Sequence, residues 1–135
     1  MLDLAIHDHA GLQPLKVIAR RTGITVKYLE QIIAKLVSAG LVRSSRGQSG
    51  GYTLARPADS IRLGTVLKVL EGSLAPIPCT ETIDQCPRSL DCVTREIWQE
   101  LSDNIWNTLE AVSLADMAAR LREKSAEKDI SMYHI

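Results

Sequence analysis

Phenylalanine is absent from the 135-residue chain, and aromatic residues together make up only 4%. So sparse a set argues against a stacking platform for single-stranded nucleic acid, where each base needs an aromatic face. No stretch of about 18 apolar residues occurs, and the first residues lack the basic-then-apolar layout of a secretory signal. A membrane-spanning helix is therefore not expected, and a cytoplasmic location is. The three His and three Cys come without a nucleophile–base–orienter set, a metal-hydrolase spacing or a phosphate-cradling loop, so the chain does not read as an enzyme. Charge of one sign is also missing overall, with sixteen basic and sixteen acidic residues. With 45% apolar and 24% charged residues, the chain can pack a core and reads as one domain, or a small domain with an appendage.

The zero net charge conceals a sorted distribution. Between Pro14 and Arg62 nine basic residues face two acids, Glu30 and Asp59, for a net +7. From Leu63 to Ile135 seven basic residues face twelve acidic ones, for a net −5. Such a split suits a basic module for an anionic polymer beside a module with another task, although an unevenly solvated surface would give the same count.

The hydropathy pattern beneath those charges is helical. Leu2 to Ala10 reads as a helix stopped by Gly11, short and without a capping residue ahead of Met1. Pro14 suits the first turn of a second helix, Leu15 to about Arg21, with Leu15, Ile18 and Ala19 facing inward. Thr22-Gly23-Ile24 breaks it, and Thr25 is an N-cap for a third helix ending at Gly40. In that helix Val26, Leu29, Ile32, Ile33, Leu36 and Val37 share one arc, while Lys27, Gln31, Ala34, Lys35 and Ser38 share the opposite one with Tyr28 and Glu30 at its edges. Two short helices joined through a Gly-containing turn, the second with a polar and basic outer face, form a helix-turn-helix pattern. A plain helical hairpin with a solvated face would share that pattern.

Leu41–Ser45 then reads as a strand, Arg46–Gly50 as a turn and Gly51–Ala55 as a return strand, the wing of a winged helix. Arg46 at its tip stands among Gly47, Gly50 and Gly51, which leave the backbone free to approach a phosphate or a minor groove; Arg43 and Arg56 flank it. The fold class expected is mainly α with a small β-hairpin wing: a winged helix-turn-helix domain plus a long dimerisation helix. Thr25, Lys27, Tyr28, Glu30, Gln31, Lys35, Arg43, Arg46, Gly47 and Gly50 are the candidate DNA-binding residues.

The run Tyr28-Leu29-Glu30-Gln31, then Gly40-Leu41-Val42, Arg46-Gly47 and Gly50-Gly51-Tyr52 resembles the Rrf2 family of bacterial transcription regulators. The resemblance covers nearly the whole chain and implies a dimeric winged-helix repressor or activator with a long dimerisation helix. It also implies that the first turns of the family's opening helix are missing ahead of Met1.

Ile61–Glu71 is expected to close the winged domain as a helix before Gly72. A loop without periodicity follows, Ser73–Asp91, holding Pro76, Pro78 and Pro87; loops of this length in small proteins are usually functional. All three cysteines, Cys79, Cys86 and Cys92, lie within fourteen residues as C-x6-C-x5-C. A proline-rich polar loop is a poor place to bury inert thiols. A disulfide is disfavoured in a reducing compartment and leaves one thiol over. Structural zinc prefers close pairs and four ligands. An iron–sulphur cluster accepts wider spacing, and the spacing ranks it first without deciding the matter.

In the cluster-binding branch of the family three cysteines occupy this loop, and Cys79, Cys86 and Cys92 match them one for one. The resemblance thus implies an iron–sulphur cluster, a two-iron, two-sulphide form ahead of a four-iron, four-sulphide one. Some members have a ligating histidine three residues after the last cysteine; here that position is Arg95, which stays protonated and cannot ligate iron. Others draw the fourth ligand from the partner's opening helix, of which His7, Asp8 and His9 remain, each read as a surface residue. The fourth ligand is left unassigned.

From Cys92 to about Val112 the chain is strongly helical. Val93, Ile97, Leu101, Ile105 and Leu109 step by four with Trp98 alongside, an apolar stripe too long for one small domain and a candidate dimer interface. Ser113-Leu114-Ala115-Asp116 forms a capping box opening a last short helix to about Leu121. The organisation expected is a winged domain over 1–72, a cysteine loop over 73–91, a dimerisation helix and short helix over 92–121, and a disordered tail over 122–135. The function expected is a homodimeric regulator that binds double-stranded DNA at an imperfect palindrome under control of an iron–sulphur cluster. A cluster-free thiol regulator and a winged-helix protein-interaction module are the alternatives.

Overall fold

The computed structural model describes residues 1–47, 49–82 and 86–132. Six helices and one hairpin are arranged as α1 (Leu2–Ile6), α2 (Leu15–Thr22), α3 (Val26–Ser38), β1 (Val42–Ser45), β2 (Gly51–Leu54), α4 (Leu63–Glu71), α5 (Val93–Glu110) and α6 (Leu114–Met132) among the described residues. Among these residues no helix is long and apolar enough to cross a membrane. The winged-helix architecture expected from the sequence is present.

Local chemistry sets each boundary of the helix-turn-helix. Gly23 ends α2 in the left-handed region at φ 71°, which a side chain would resist. The Thr25 hydroxyl then accepts from the Tyr28 N–H at 3.4 Å and opens α3. Gly40 at φ 68° closes α3, and the Leu41 N–H reaches back to the Leu36 carbonyl at 2.9 Å. One face of α3, Leu29, Ile33 and Leu36, is buried against Leu4, Ile18, Leu41, Val42, Leu54, Ile61 and Val66.

The wing is wider than its two strands. β1 and β2 pair antiparallel, Val42 opposite Leu54 and Ser45 opposite Gly51. The backbone of Gln13 adds a third rung: Gln13 N donates to Tyr52 O at 2.9 Å, and Tyr52 N to Gln13 O at 3.0 Å. Gly51 permits this approach, because a Cβ there would lie 2.7 Å from the Gln13 carbonyl. Gln13 is in turn held by Arg21, whose Nη2 donates to Gln13 Oε1 at 2.9 Å and to Asp3 Oδ2 at 2.7 Å. One guanidinium therefore joins α1, α2 and the wing.

Four sequence expectations change. The first helix ends at Ile6, and Asp8–Ala10 is a separate 3-10 turn before Gly11 at φ 72°. The Ser73–Asp91 loop is not structureless: it contains 3-10 turns at Pro78–Thr80 and Ser89–Asp91. The last helix does not stop near Leu121 but continues to Met132, so residues 122–132, expected as disordered tail, are helical; 133–135 lie outside the described residues. That stretch lacks an apolar stripe, but it is rich in Arg, Glu and Lys, with Ala126 and Met132 and no Gly or Pro, so intrinsic propensity carries the helix on. Finally, α6 packs into the winged domain, with Leu114 and Ala118 buried and Leu114 in one core with Leu4 and Val66.

The capping box that starts α6 is fully made. Asp116 Oδ2 accepts from Ser113 N at 2.8 Å and Ser113 Oγ at 2.7 Å, while Asp116 N donates to Ser113 Oγ at 3.1 Å. These bonds, with Arg120 and Arg62 nearby, hold the Asp116 carboxyl below its ordinary value.

Candidate nucleic-acid interface and cysteine loop

The outer side of α3 is free. Lys27, Tyr28, Glu30 and Gln31 are all exposed, and Tyr28 is 57% exposed, unusual for a tyrosine opposite a packed core. Arg43, opposite Thr53 in the hairpin register, and Arg46 at the wing tip are exposed as well. Gly47 sits at φ 114°, and a Cβ on Gly50 would lie 2.5 Å from the Ser45 carbonyl, so the tip turns tightly with bare backbone outward. Gln48 of that turn lies outside the described residues. Between wing and helix-turn-helix runs an open cleft of about 410 Å³, lined by Lys16, Glu30 and Arg46 among others.

Two proposed contacts are diverted. Thr25 spends its hydroxyl on the α3 cap. Lys35 donates from Nζ to the Leu70 carbonyl at 3.0 Å, tying α3 to the C-terminus of α4, while still bordering Tyr28 and Gln31 on the surface. Arg21 is likewise withdrawn from the basic surplus by its bidentate pair with Asp3. In exchange the cleft brings in Lys16, which the sequence counts only as charge; its signal is a lysine in the first turn of α2, just after the extended N-cap Pro14.

The cysteines occupy three settings. Cys79 lies in the Pro78–Thr80 turn, Cys86 borders residues outside the described set, and Cys92 caps the N-terminus of α5. All three are half-buried free thiols. Cys92 Sγ lies 3.1 Å from Thr94 Oγ1. Hydrogen bonding from Thr94, then from the Arg95 backbone, with the Arg88 charge adding to it, lowers the Cys92 thiol below its ordinary value. Among the described residues no three metal-ligating side chains converge, so the structure does not bring the three cysteines together. His7 is engaged through Nδ1 with the Asp3 carbonyl at 2.8 Å, and Asp8 and His9 are exposed.

The α5 stripe divides into two parts. Val93 is 69% exposed, Ile97 63% and Leu101 43%, with Trp98 also exposed. Ile105 and Leu109 are half-buried, and Leu109 lines a groove with Leu63, Val112 and Met117 of the same chain. The C-terminal half of the helix thus has an apolar partner within the chain, while Val93, Ile97, Trp98 and Leu101 of the N-terminal half stay exposed.

Residues 1–120 match the Rrf2 family, described as an iron-dependent transcriptional regulator. This chain belongs to the Rrf2 family. It is 42% identical over 117 residues to the protein rrf2 of Nitratidesulfovibrio vulgaris, covering 87% of this chain and 78% of that one. The transcriptional regulator IscR of Erwinia tasmaniensis is 38% identical over 117 residues, 87% of this chain and 70% of that protein. Among solved structures, T. potens IscR superposes with a TM-score of 0.73 at 40% identity, covering 91% of this chain and 80% of that one. CymR, described as the global cysteine regulator of B. subtilis, gives a TM-score of 0.72 at 34% identity, covering 88% and 87%. Like these Rrf2 relatives, the chain is a transcriptional regulator and not an enzyme.

Proposed function

We propose that this Rrf2 protein is a cytoplasmic, homodimeric regulator that reads double-stranded DNA with α3 and the wing and is controlled by an iron–sulphur cluster on the cysteine loop. The observation that carries the DNA reading is the exposed Lys27–Tyr28–Gln31 surface beside Arg46 on a bare glycine tip. Lys27, Tyr28 and Gln31 enter a major groove, while Arg46, Arg43 and Lys16 neutralise phosphates. Glu30 accepts from cytosine and repels misplaced phosphate, so it selects by exclusion. The unpartnered face of Val93, Ile97, Trp98 and Leu101, continued by Ile105 and Leu109, pairs with a second copy. Two-fold pairing sets the recognition helices roughly 34 Å apart on an imperfect palindrome.

The donor set suits a cluster in chemistry, with one ligand of four still unassigned. Cys79 and Cys86 on the loop and Cys92 at the start of α5 offer three sulphurs, and hydrogen bonds from Thr94 and the Arg95 backbone lower the Cys92 thiol. Because the thiols do not converge in this conformation, cluster binding has to draw the loop together. The cluster supplies a redox- and nitric-oxide-sensitive anchor between winged domain and α5. A two-iron, two-sulphide form fits three cysteines and one unassigned ligand. A cluster-free thiol switch is the second reading, favoured by the depressed Cys92 thiol and by the 31% identity to a CymR of Staphylococcus aureus solved in an oxidized form. Anaerobic reconstitution of wild type and Cys86→Ala, followed by iron and sulphide analysis, separates the two. Iron held by the wild type alone supports the cluster; equal, negligible iron in both supports the thiol switch.

A further inference from the structure

A second site lies on the far side of the cysteine turn. A half-open cavity of about 200 Å³ is lined by the C-terminal turns of α4, the segment Gly72–Glu81 and the middle of α5. Its volume falls below the roughly 300–1,000 Å³ of sites that take drug-sized molecules, so it suits a small metabolite. Charges of both signs line it, Lys68 from α4, Glu81 from the loop and Asp103 from α5. None of the three joins an ion pair among the described residues, where Asp3 holds the pairs found. The Lys68 ammonium lies 5.5 Å from the centroid of the Trp106 ring, and Gln99 Nε2 donates to Asp103 Oδ1 at 3.1 Å. Leu74, Ala75 and the Trp106 ring supply apolar wall.

The chemistry of this lining selects by exclusion. A simple anion would meet Lys68 but also two carboxylates; a simple cation would meet those carboxylates but also Lys68. A molecule carrying both charges a few ångströms apart satisfies the whole set. We propose that the cavity binds a zwitterion of the α-amino-acid class with an apolar side chain. Its carboxylate pairs with Lys68, its ammonium with Glu81 and Asp103, and its side chain lies against Leu74 and Trp106.

The position gives such a ligand leverage. It touches α4, the cysteine turn and α5 at once, and the end of α4 is bonded to the recognition helix through Lys35 and the Leu70 carbonyl. A ligand that favours one placement of α5 relative to α4 shifts the population of recognition-helix arrangements by its difference in affinity. Binding itself does not rest on the DNA or cluster reading; only this coupling does.

Titration calorimetry of the full chain, without DNA or iron, tests the site with L-leucine and L-methionine. At least one is expected to bind saturably, whereas N-acetyl-L-leucine, without the ammonium, and L-leucinamide, without the carboxylate, are not. Lys68→Met and Asp103→Asn should each weaken binding by about tenfold or more, while the helical far-ultraviolet spectrum stays unchanged. No saturable heat with either amino acid overturns the proposal. So does equal affinity for the two blocked derivatives, or binding unchanged in both variants. If Asp103→Asn instead alters only self-association and no amino acid binds, the cavity belongs to a subunit interface and the zwitterion site is wrong.

Discussion

Arg95 donates from Nε to the carbonyl oxygen of Cys79 across 2.9 Å. The first turn of α5 is thereby fastened to the 3-10 turn that carries the first cysteine, and Arg95 is half-buried in doing so. A cation that cannot ligate iron instead holds the loop from which iron would be ligated.

Replacing that guanidinium should loosen the turn. In Arg95→Leu the Cys79 carbonyl loses a charge-assisted partner, which costs about 1 kcal/mol locally. The amides of Glu81 and Thr82, which donate to the Pro78 carbonyl, should then exchange with solvent roughly fivefold faster, with the α3 amides unaffected. Hydrogen exchange resolved by mass spectrometry reads this; unchanged protection at both amides would remove Arg95 as the fastening.

Two of the crowded glycines, Gly51 and Gly64, should differ in what a methyl group costs. Gly51→Ala drives a Cβ to 2.7 Å from backbone atoms of Gln13, which cannot move without breaking the third rung of the wing, so about 1–3 kcal/mol of stability should be lost. At Gly64 the new Cβ would meet the Glu110 carboxylate at 2.6 Å, a side chain that can swing aside and give up only its 3.2 Å bond from Thr65. Gly64→Ala should therefore cost less than Gly51→Ala. Urea unfolding of both variants checks the order.

Much of this was legible in the sequence because single residues fix it. Gly23, Thr25 and Gly40 delimit α3, and Ser113 with Asp116 opens α6 through short-range bonds that a local reading finds. The third rung of the wing was not legible, since Gln13 and Tyr52 meet only once α1 and α2 have packed. Lys35 lies on the polar arc of α3 and reads as a DNA contact, and Arg21 counts as free charge; their partners, the Leu70 carbonyl and Asp3, are distant in sequence. The cysteine spacing is visible in the chain, but the approach of Arg95 to Cys79 needs the loop folded back on α5.

Ile97→Glu should separate the proposed dimer without unfolding the chain. Ile97 is 63% exposed in the single chain, so the charge costs the fold little, but buried between two copies of α5 it would be unpaired and expensive. Sedimentation velocity at micromolar concentration should show dimers for wild type and monomers for the variant. Dimers in both would move the interface elsewhere.

The DNA surface should separate into positioning and reading. Arg46→Ala should weaken binding to many duplexes alike and reduce the slope of log affinity against log salt by about one phosphate. Gln31→Ala should instead alter preference at one base pair by about 1–3 kcal/mol. Fluorescence anisotropy on a duplex selected from a random pool, repeated with single substitutions and several salt concentrations, distinguishes the two. A salt slope equal to that of wild type would place Arg46 off the phosphates.

The most direct measurement is the affinity of one selected duplex for the same preparation before and after cluster removal under anaerobic conditions. A cluster held by Cys79, Cys86 and Cys92 and coupled to the recognition helices should change that affinity at least about fivefold, while Cys86→Ala shows no difference between the two treatments. Equal affinity of the iron-loaded and stripped wild type, with iron content confirmed in the first, would contradict cluster control.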